Sequence, residues 1–483
     1  MDSKTQRKHI INNLLWKILE RTGAQGAALI TSIILARSLL PEDFGVIALI
    51  TVFITIANVF VQSGLGTALI QKKDTNSTDF SSVFYISLLI ATILYGILFF
   101  LAPFIALFFD LPQLTLIIRV ISLTLFPFAF NSIQSAFVIK NMQFKKLFLS
   151  SFTATIISGI VGIIMANNNF GSWALVGQQL SNSITVCLIM WFTVKWRPKL
   201  IFSFKSLRTL FSFGWKLLVS NLINTTYNEI FSLIIGKKYT SDILGFFNRG
   251  KQFPSLIVTN IDSAIQTVML PAYSSNQDNK VKVKQMMRRS IVTSSFLIFP
   301  AMVGLAAVAE SFISIVLTDK WLPAVTFLQI YCFFYAFQPI QTANLQAINA
   351  VGRSDIYLKL EIVKKIIGLS ILSITVFFGI YAIAIGGAIS SVISTFINSY
   401  PNKKLLNYSY IEQMRDILPY FFLSIFMGVI VLCVQLFQFN ALLTLFTQII
   451  VGLLIYLGGA YLFRLESYIY ILKIIKETLK KRK

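Results

Sequence analysis

The chain has 483 residues, 56% of them hydrophobic and 13% charged, with a formal net charge of +23 at pH 7. A soluble domain carries about 25% charged residues, so too little polar surface is present here to coat a soluble particle, and recurrent runs of about 20 apolar residues are each long enough to cross a bilayer as a helix. A single histidine, His9, excludes His-based triads and His-rich metal sites, and Cys187, Cys332 and Cys433 lie far apart inside apolar runs, where they read as small buried hydrophobes.

In chain order, apolar helices are predicted near 11–37, 43–70, 80–108, 112–138, 147–167, 171–194, 211–236, 243–270, 290–317, 323–350, 355–378, 381–400, 416–437 and 441–463, fourteen in all. The first lacks the short core and A-x-A-like site of a cleavable signal peptide, so it is expected to be retained as the first span. The longest connections, 195–210 and 272–289, are too short to hold a soluble catalytic domain. Segments 1–12, 71–79, 139–146, 195–210, 272–289, 351–359, 401–415 and 464–483 carry thirty of the 42 Lys and Arg, whereas the alternate connections carry three, Lys237, Lys238 and Lys320. The positive-inside rule then predicts both termini in the cytoplasm. The net charge is mostly this bias, so nucleic-acid binding is not inferred. The tail RLESYIYILKIIKETLKKRK has two readings: a basic amphipathic helix lying on anionic lipid, or a frayed solvated end.

The connection after the first predicted helix, LARSLLPEDFG at 35–45, returns 200 residues later as IGKKYTSDILG at 235–245. FGSWALV at 170–176 is echoed by FGIYAIA at 378–384, in the same order and at nearly the same offset. The first and seventh helices both start on the cytoplasmic side, so the halves read as parallel repeats about an axis along the membrane normal, an arrangement in which two lobes rock around a shared site. The expected organisation is an N-lobe over 1–194 (helices 1–6), a cytoplasmic linker over 195–210, a C-lobe over 211–400 (helices 7–12), two extra helices over 401–463, and a basic tail over 464–483. In each turn of the repeat a cation, Arg37 or Lys237, follows an outgoing helix. Capping of the negative helix end, with snorkelling to the interface, is one reading of it; a substrate contact is the other.

Nine basic residues fall inside predicted spans: Lys17, Arg21, Arg37, Arg119, Lys216, Arg249, Lys251, Lys364 and Lys365. The acids there are Glu20, Glu229, Asp262, Glu310 and Glu361. A charge at the bilayer centre costs about 2.5–3.5 kcal/mol on an insertion scale, so it normally faces a cavity or a partner. Glu361 and Lys365 have the favourable i, i+4 order for mutual neutralisation, and Glu20 can neutralise Lys17 or Arg21. Lys216, Lys364 and Lys365 sit near the cytoplasmic face, where snorkelling suffices. Arg21, about 15 Å along its helix, and Arg119 and Arg249 have no such ready answer. Net-cationic helices around a cleft attract an anionic headgroup, and the planar fork of arginine suits phosphate oxygens. Glu229 and Asp262 are the candidates for a coupling Na⁺ or H⁺. Pro127, Pro254 and Pro300 lie well inside predicted helices, where they kink the chain, either as bending points or as tolerated irregularities. No G-x-x-x-x-G-K-[ST] motif is present, so energy is expected from a gradient, the membrane potential or downstream consumption of the product.

IILARSLLPEDFG, SGLGTALIQKKD at 63–74, FGSWALVGQQL at 170–180, and LGFFNRGKQFPSLIV followed by VMLPAYS resemble the Wzx-like, teichuronic-acid-exporter-like polysaccharide flippases of the multidrug/oligosaccharidyl-lipid/polysaccharide (MOP) exporter superfamily. The resemblance covers roughly 1–400. It implies an all-α polytopic fold like those of MATE and MurJ proteins, with about fourteen transmembrane helices in two six-helix lobes plus two C-terminal helices. It also implies alternating access and an undecaprenyl-diphosphate-linked glycan as substrate, with membrane lipids and polysaccharide polymerase and assembly proteins as partners and no cofactor. Related lipid II flippases carry arginines on the first and eighth helices of a cationic cavity, so the diphosphate-contacting role passes to Arg21 and Arg249. Arg37, Arg119 and Lys251 are candidates by position alone. Two rivals are an ion-coupled multidrug antiporter of the same superfamily, expected to line its cleft with acids and aromatics, and a membrane polymerase or ligase, expected to carry a sizeable extracytoplasmic loop.

Overall fold

In the computed structural model, residues 23–437 and 439–480 are described, and their regular structure is helical, with no strand among them. The elements are α1 (23–38), then α2 (Pro41–Gln62), α3 (Leu65–Gln71), α4 (Ser77–Phe108), α5 (Leu114–Ile121), α6 (Leu125–Lys140), α7 (Phe144–Asn167), α8 (Ser172–Thr193), α9 (Phe204–Lys238) and α10 (Ser241–Ser274). They continue with α11 (Lys280–Ala307), α12 (Ala309–Leu317), α13 (Ala324–Ala336), α14 (Gln338–Ala350), α15 (Ser354–Thr375), α16 (Ile380–Ser399), α17 (Asn402–Leu406), α18 (Tyr410–Cys433), α19 (Ala441–Leu462) and α20 (Glu466–Lys480). Among the described residues, nine helical segments are long and apolar enough to cross a membrane. Large apolar side chains such as Phe100, Phe192 and Leu454 point outward from them, as lipid-facing residues do. The chain is a multi-pass membrane protein.

Contacts divide the chain between Gly245 and Phe246, inside α10. The helix that the repeat assigns to the second lobe, α9, packs in the first unit against α2 and α3.

In the first unit, the turn residues noted in the sequence meet one another. Pro41 opens α2 at its first position, where no N–H is needed. Asp43 accepts a hydrogen bond from the Leu40 N–H at 3.0 Å and another from the Ser172 hydroxyl at 2.8 Å. Gly171, at φ +53°, brings the start of α8 against that carboxylate, which a Cβ there would approach to 3.1 Å. PEDFG and FGSWALV are therefore two halves of one joint. Ser63 and Gly64 both turn left-handed between α2 and α3, and α9 seats against the break so closely that a Cβ on Gly64 would lie 2.3 Å from the Gly214 carbonyl oxygen. The predicted helix 112–138 is broken: a 3-10 turn over Ser122–Thr124 separates α5 from α6, and Pro127, which cannot bond back to Leu123, stands just after it.

The repeated turns pack on each other inside this unit. A Cβ on Gly45 would fall 1.7 Å from the Ser241 carbonyl oxygen, and one on Gly245 would fall 2.1 Å from the Pro41 carbonyl oxygen. The two cations of the repeat part ways here. Lys237 donates to the Phe108 carbonyl and, at 3.0 Å, to Asp110, so the helix end it caps is that of α4 and not its own; Arg37 is exposed.

In the second unit, a buried amide network joins the repeat to the helix that follows it. Asn344 on α14 donates to Gln413 Oε1 on α18 at 2.8 Å and accepts from Asn402 Nδ2 at 2.7 Å and Gln413 Nε2 at 3.1 Å. Ser399 on α16 also donates to Gln413 Oε1, at 3.1 Å. Asn344→Ala removes three buried hydrogen bonds to Gln413 and Asn402, so it is expected to destabilise the protein by about 2 kcal/mol or more. Thermal unfolding in detergent would read this as a clear drop in Tm; an unchanged midpoint would mean that the network contributes nothing. Gly379, at φ +109°, precedes α16 as Gly171 precedes α8. The tail begins as a docked helix: Arg288 on α11 pairs with Asp416 at 3.1 Å and Glu466 at 2.9 Å, and the Arg289 guanidinium lies 3.5 Å over the Tyr470 ring. In α15 Glu361 pairs with Lys364 at 2.5 Å, and Lys365 lies within reach of the same carboxylate's charge.

Candidate functional site

The residues Arg-Gly-Lys at 249–251 owe their setting to the glycine. A Cβ on Gly250 would lie 2.6 Å from Phe327 Cβ and 2.8 Å from the Leu328 amide nitrogen, so α10 runs with its backbone against α13. This approach carries Arg249 inside the second unit, 4% exposed. Its guanidinium donates from Nη1 to Gln252 Oε1 at 2.6 Å and lies 5.1 Å over the Trp321 ring. Both are neutral groups, and together they orient the planar fork. Neither Gln252 nor Trp321 is expected from the sequence reading, although Gln252, one turn from Arg249 on the same helix, is legible by spacing. Lys251, between Gly250 and Gln252, is half-buried.

Asp262 lies on the same helix, thirteen residues and about 20 Å further along. It is 4% exposed. Thr342 and Gln338 of α14 are the polar side chains beside it, and neither reaches hydrogen-bonding geometry with its two oxygens. A buried carboxylate in such surroundings is suited to hold a cation.

The other candidates are elsewhere. Arg119 on α5 donates from Nε to the Phe99 carbonyl at 3.2 Å and covers the Phe99 ring at 4.2 Å, an engagement with α4 that explains its burial without a ligand. Arg37 is exposed, and Glu229 is half-buried on α9 of the first unit. Arg21, with Lys17 and Glu20, lies outside the described residues. The structure thus groups Arg249, Lys251 and Gln252 within one turn, and gives Arg119 and Lys237 local structural partners. Among the described residues no group of three or more His, Cys, Asp or Glu side chains gathers as a metal site.

A family profile described as "Polysaccharide biosynthesis protein" matches residues 34–326. The chain belongs to that family. The resemblance read from the sequence motifs is borne out. Relatives of this polysaccharide biosynthesis protein include the teichuronic acid biosynthesis protein TuaB of Bacillus subtilis (strain 168), 23% identical over 83% of this chain and 84% of the relative. The lipopolysaccharide biosynthesis protein WzxC of Escherichia coli (strain K12) is 22% identical over 86% of this chain and 81% of its own. Among solved structures, an inward-closed lipid II flippase MurJ superposes with a TM-score of 0.76 at 17% identity, covering 93% of this chain and 98% of that one. An inward-facing multidrug-resistance MATE transporter of the MOP superfamily gives 0.57 at 15%, covering 80% and 96%. Both share the fold of this chain.

Proposed function

We propose that this polysaccharide biosynthesis protein is a flippase. It moves undecaprenyl-diphosphate-linked oligosaccharide repeat units from the inner to the outer leaflet of the bacterial cytoplasmic membrane, for capsule, exopolysaccharide or teichuronic-type export. The observation that carries the reading is Arg249, a nearly fully buried cation held by an amide and an indole. A buried guanidinium placed among such groups is suited to receive an anion, and a diphosphate matches its fork. The substrate's headgroup binds at Arg249, with Lys251 supplying further positive charge; Arg21 is the other diphosphate contact that the family resemblance implies. Alternating access exposes it to each leaflet in turn while its polyprenyl tail stays in lipid. In this reading all fourteen predicted helices cross the membrane, twelve of them in two six-helix lobes, and both termini are cytoplasmic. Asp262 or Glu229 takes the coupling Na⁺ or H⁺; no reaction is catalysed; a polymerase and assembly proteins receive the product.

The MATE-type fold favours one other reading, an ion-coupled multidrug antiporter, whose cargo is positive. A single experiment separates the two. Purified protein is placed in liposomes with a lipid-linked diphospho-oligosaccharide, and exposure of the sugar to a membrane-impermeant enzyme is followed. The flippase exposes the headgroup faster than protein-free vesicles do, under an Na⁺, proton or voltage gradient. No exposure under any of the three, with cationic drug uptake into the same vesicles, would replace the flippase with the antiporter.

A further inference from the structure

On the side that the lysine bias assigns to the cytoplasm, a groove of about 560 Å³ opens in the first unit between the α3–α4 connection and the end of α6. Lys73 and Lys140 supply two ammonium groups, Asp74 and Thr75 supply oxygens, and the rings of Phe80 and Phe137 form its apolar wall. Its floor is rigid. Phe80 and Phe137 meet edge to face at 5.5 Å, and Trp196 packs under both, at 5.8 Å and 6.4 Å. Lys140 is tethered to the Leu69 carbonyl at 3.1 Å and to the Lys72 carbonyl. Lys72 pairs with the buried Asp79 at 2.7 Å, and the Ser206 hydroxyl donates to the same carboxylate from α9. The third amide of α4 is already engaged, since Asn76 accepts from the Asp79 N–H at 2.8 Å. Lys73 and Lys140 carry the positive charge of the groove. Lys73 and Asp74 are exposed and hold no ion pair among the described residues.

We propose that this groove binds the phosphate-and-hydroxyl headgroup of a membrane lipid. Lysine holds phosphate as a point charge. The carboxylate and hydroxyl of Asp74 and Thr75 take up the hydroxyls of a polyol or sugar, and the aromatic wall accepts its C–H face. A site of this size with a few converging polar groups over an apolar wall has the dimensions of a small-molecule pocket. Its fixed walls limit the ordering cost on binding. Two lipids present that chemistry at the inner surface, the glycosylated polyprenyl diphosphate of the proposed transport reaction and phosphatidylglycerol. Only the first rests on the flippase reading.

The test places a photoreactive benzoylphenylalanine at Thr75 of the full chain, in phosphatidylcholine nanodiscs containing labelled phosphatidylglycerol, labelled glycosylated polyprenyl diphosphate, or labelled phosphatidylcholine alone. Capture of either anionic lipid above the phosphatidylcholine level, reduced about tenfold by the exposed change Lys73→Glu, is expected. Capture of the polyprenyl lipid alone identifies a loading site for the transported molecule. Capture of phosphatidylglycerol identifies a structural or regulatory lipid site. Capture no greater than that of phosphatidylcholine, or indifferent to Lys73→Glu, overturns the proposal. Wild-type translocation is measured in parallel. Translocation without capture rejects the groove and keeps the transport function; capture of phosphatidylglycerol without translocation does the reverse.

Discussion

Gly45→Ala is expected to lower stability by at least about 3 kcal/mol, enough to remove most folded protein from a detergent extract. The added Cβ would sit 1.7 Å from the Ser241 carbonyl oxygen, and that obstacle is backbone, which no rotamer change can clear. Gly245→Ala meets the Pro41 carbonyl oxygen at 2.1 Å and should behave alike. Gly96 and Gly458 are the controls, because a Cβ there meets nothing within 4 Å. Alanine at either should be neutral or gain up to about 1 kcal/mol of helix propensity. Fluorescence-detected size exclusion with thermal ramps compares the four variants. A Gly45→Ala protein that elutes and melts like wild type would show that the two turns stand further apart than their geometry here implies.

The second large effect concerns transport with the fold preserved. Arg249→Gln removes the cation while keeping a polar side chain for Gln252, and is expected to slow headgroup translocation about 100-fold. Arg249→Lys keeps the charge and loses the fork, so a loss of about tenfold is expected instead. Because the guanidinium is held by Gln252 and Trp321, Arg249→Lys should also weaken binding of the diphosphate lipid. Melting temperatures measured beside the rates separate a lost substrate contact from a lost fold. Wild-type rates in Arg249→Gln would remove this residue from the substrate path and leave its burial a matter of packing.

Much of the helix layout was legible because hydropathy reports directly on which segments sit in lipid: each predicted span from 43–70 onward overlaps a helix or a helix pair. The breaks were harder to see. Ser63 and Gly64 interrupt one apolar run through left-handed backbone, and the 3-10 turn before Pro127 interrupts another, neither of which changes the mean hydropathy of a window. The candidate site was legible only as a set of cations out of place. Periodicity can say that Arg249 lies within an apolar helix. It cannot say that Trp321 waits for it across Gly250, nor that Phe99 takes Arg119 and Asp110 takes Lys237, because these pairings join residues far apart in sequence. Arg119 and Lys237 show the same signal, a charge within or beside a span, with a structural answer. Asp262 reads in the sequence as one acid among five, and only burial without a hydrogen-bonding partner sets it apart.

The packing of the two repeated turns explains why the motif recurs at an interval of 200 residues. Gly45 lies on Ser241, and Gly245 lies on Pro41; adding 200 to Gly45 and taking 200 from Ser241 turns the first contact into the second. This is an isologous contact, the kind that two copies of one chain make across a two-fold axis, here made by a single chain with itself. Around the contact the two turns differ freely, with Arg37 against Lys237, Leu40 against Thr240 and Asp43 against Ile243. The two glycines have no such latitude, because what each would strike is peptide backbone, which every residue carries. No side-chain substitution in one turn can make room for bulk in the other.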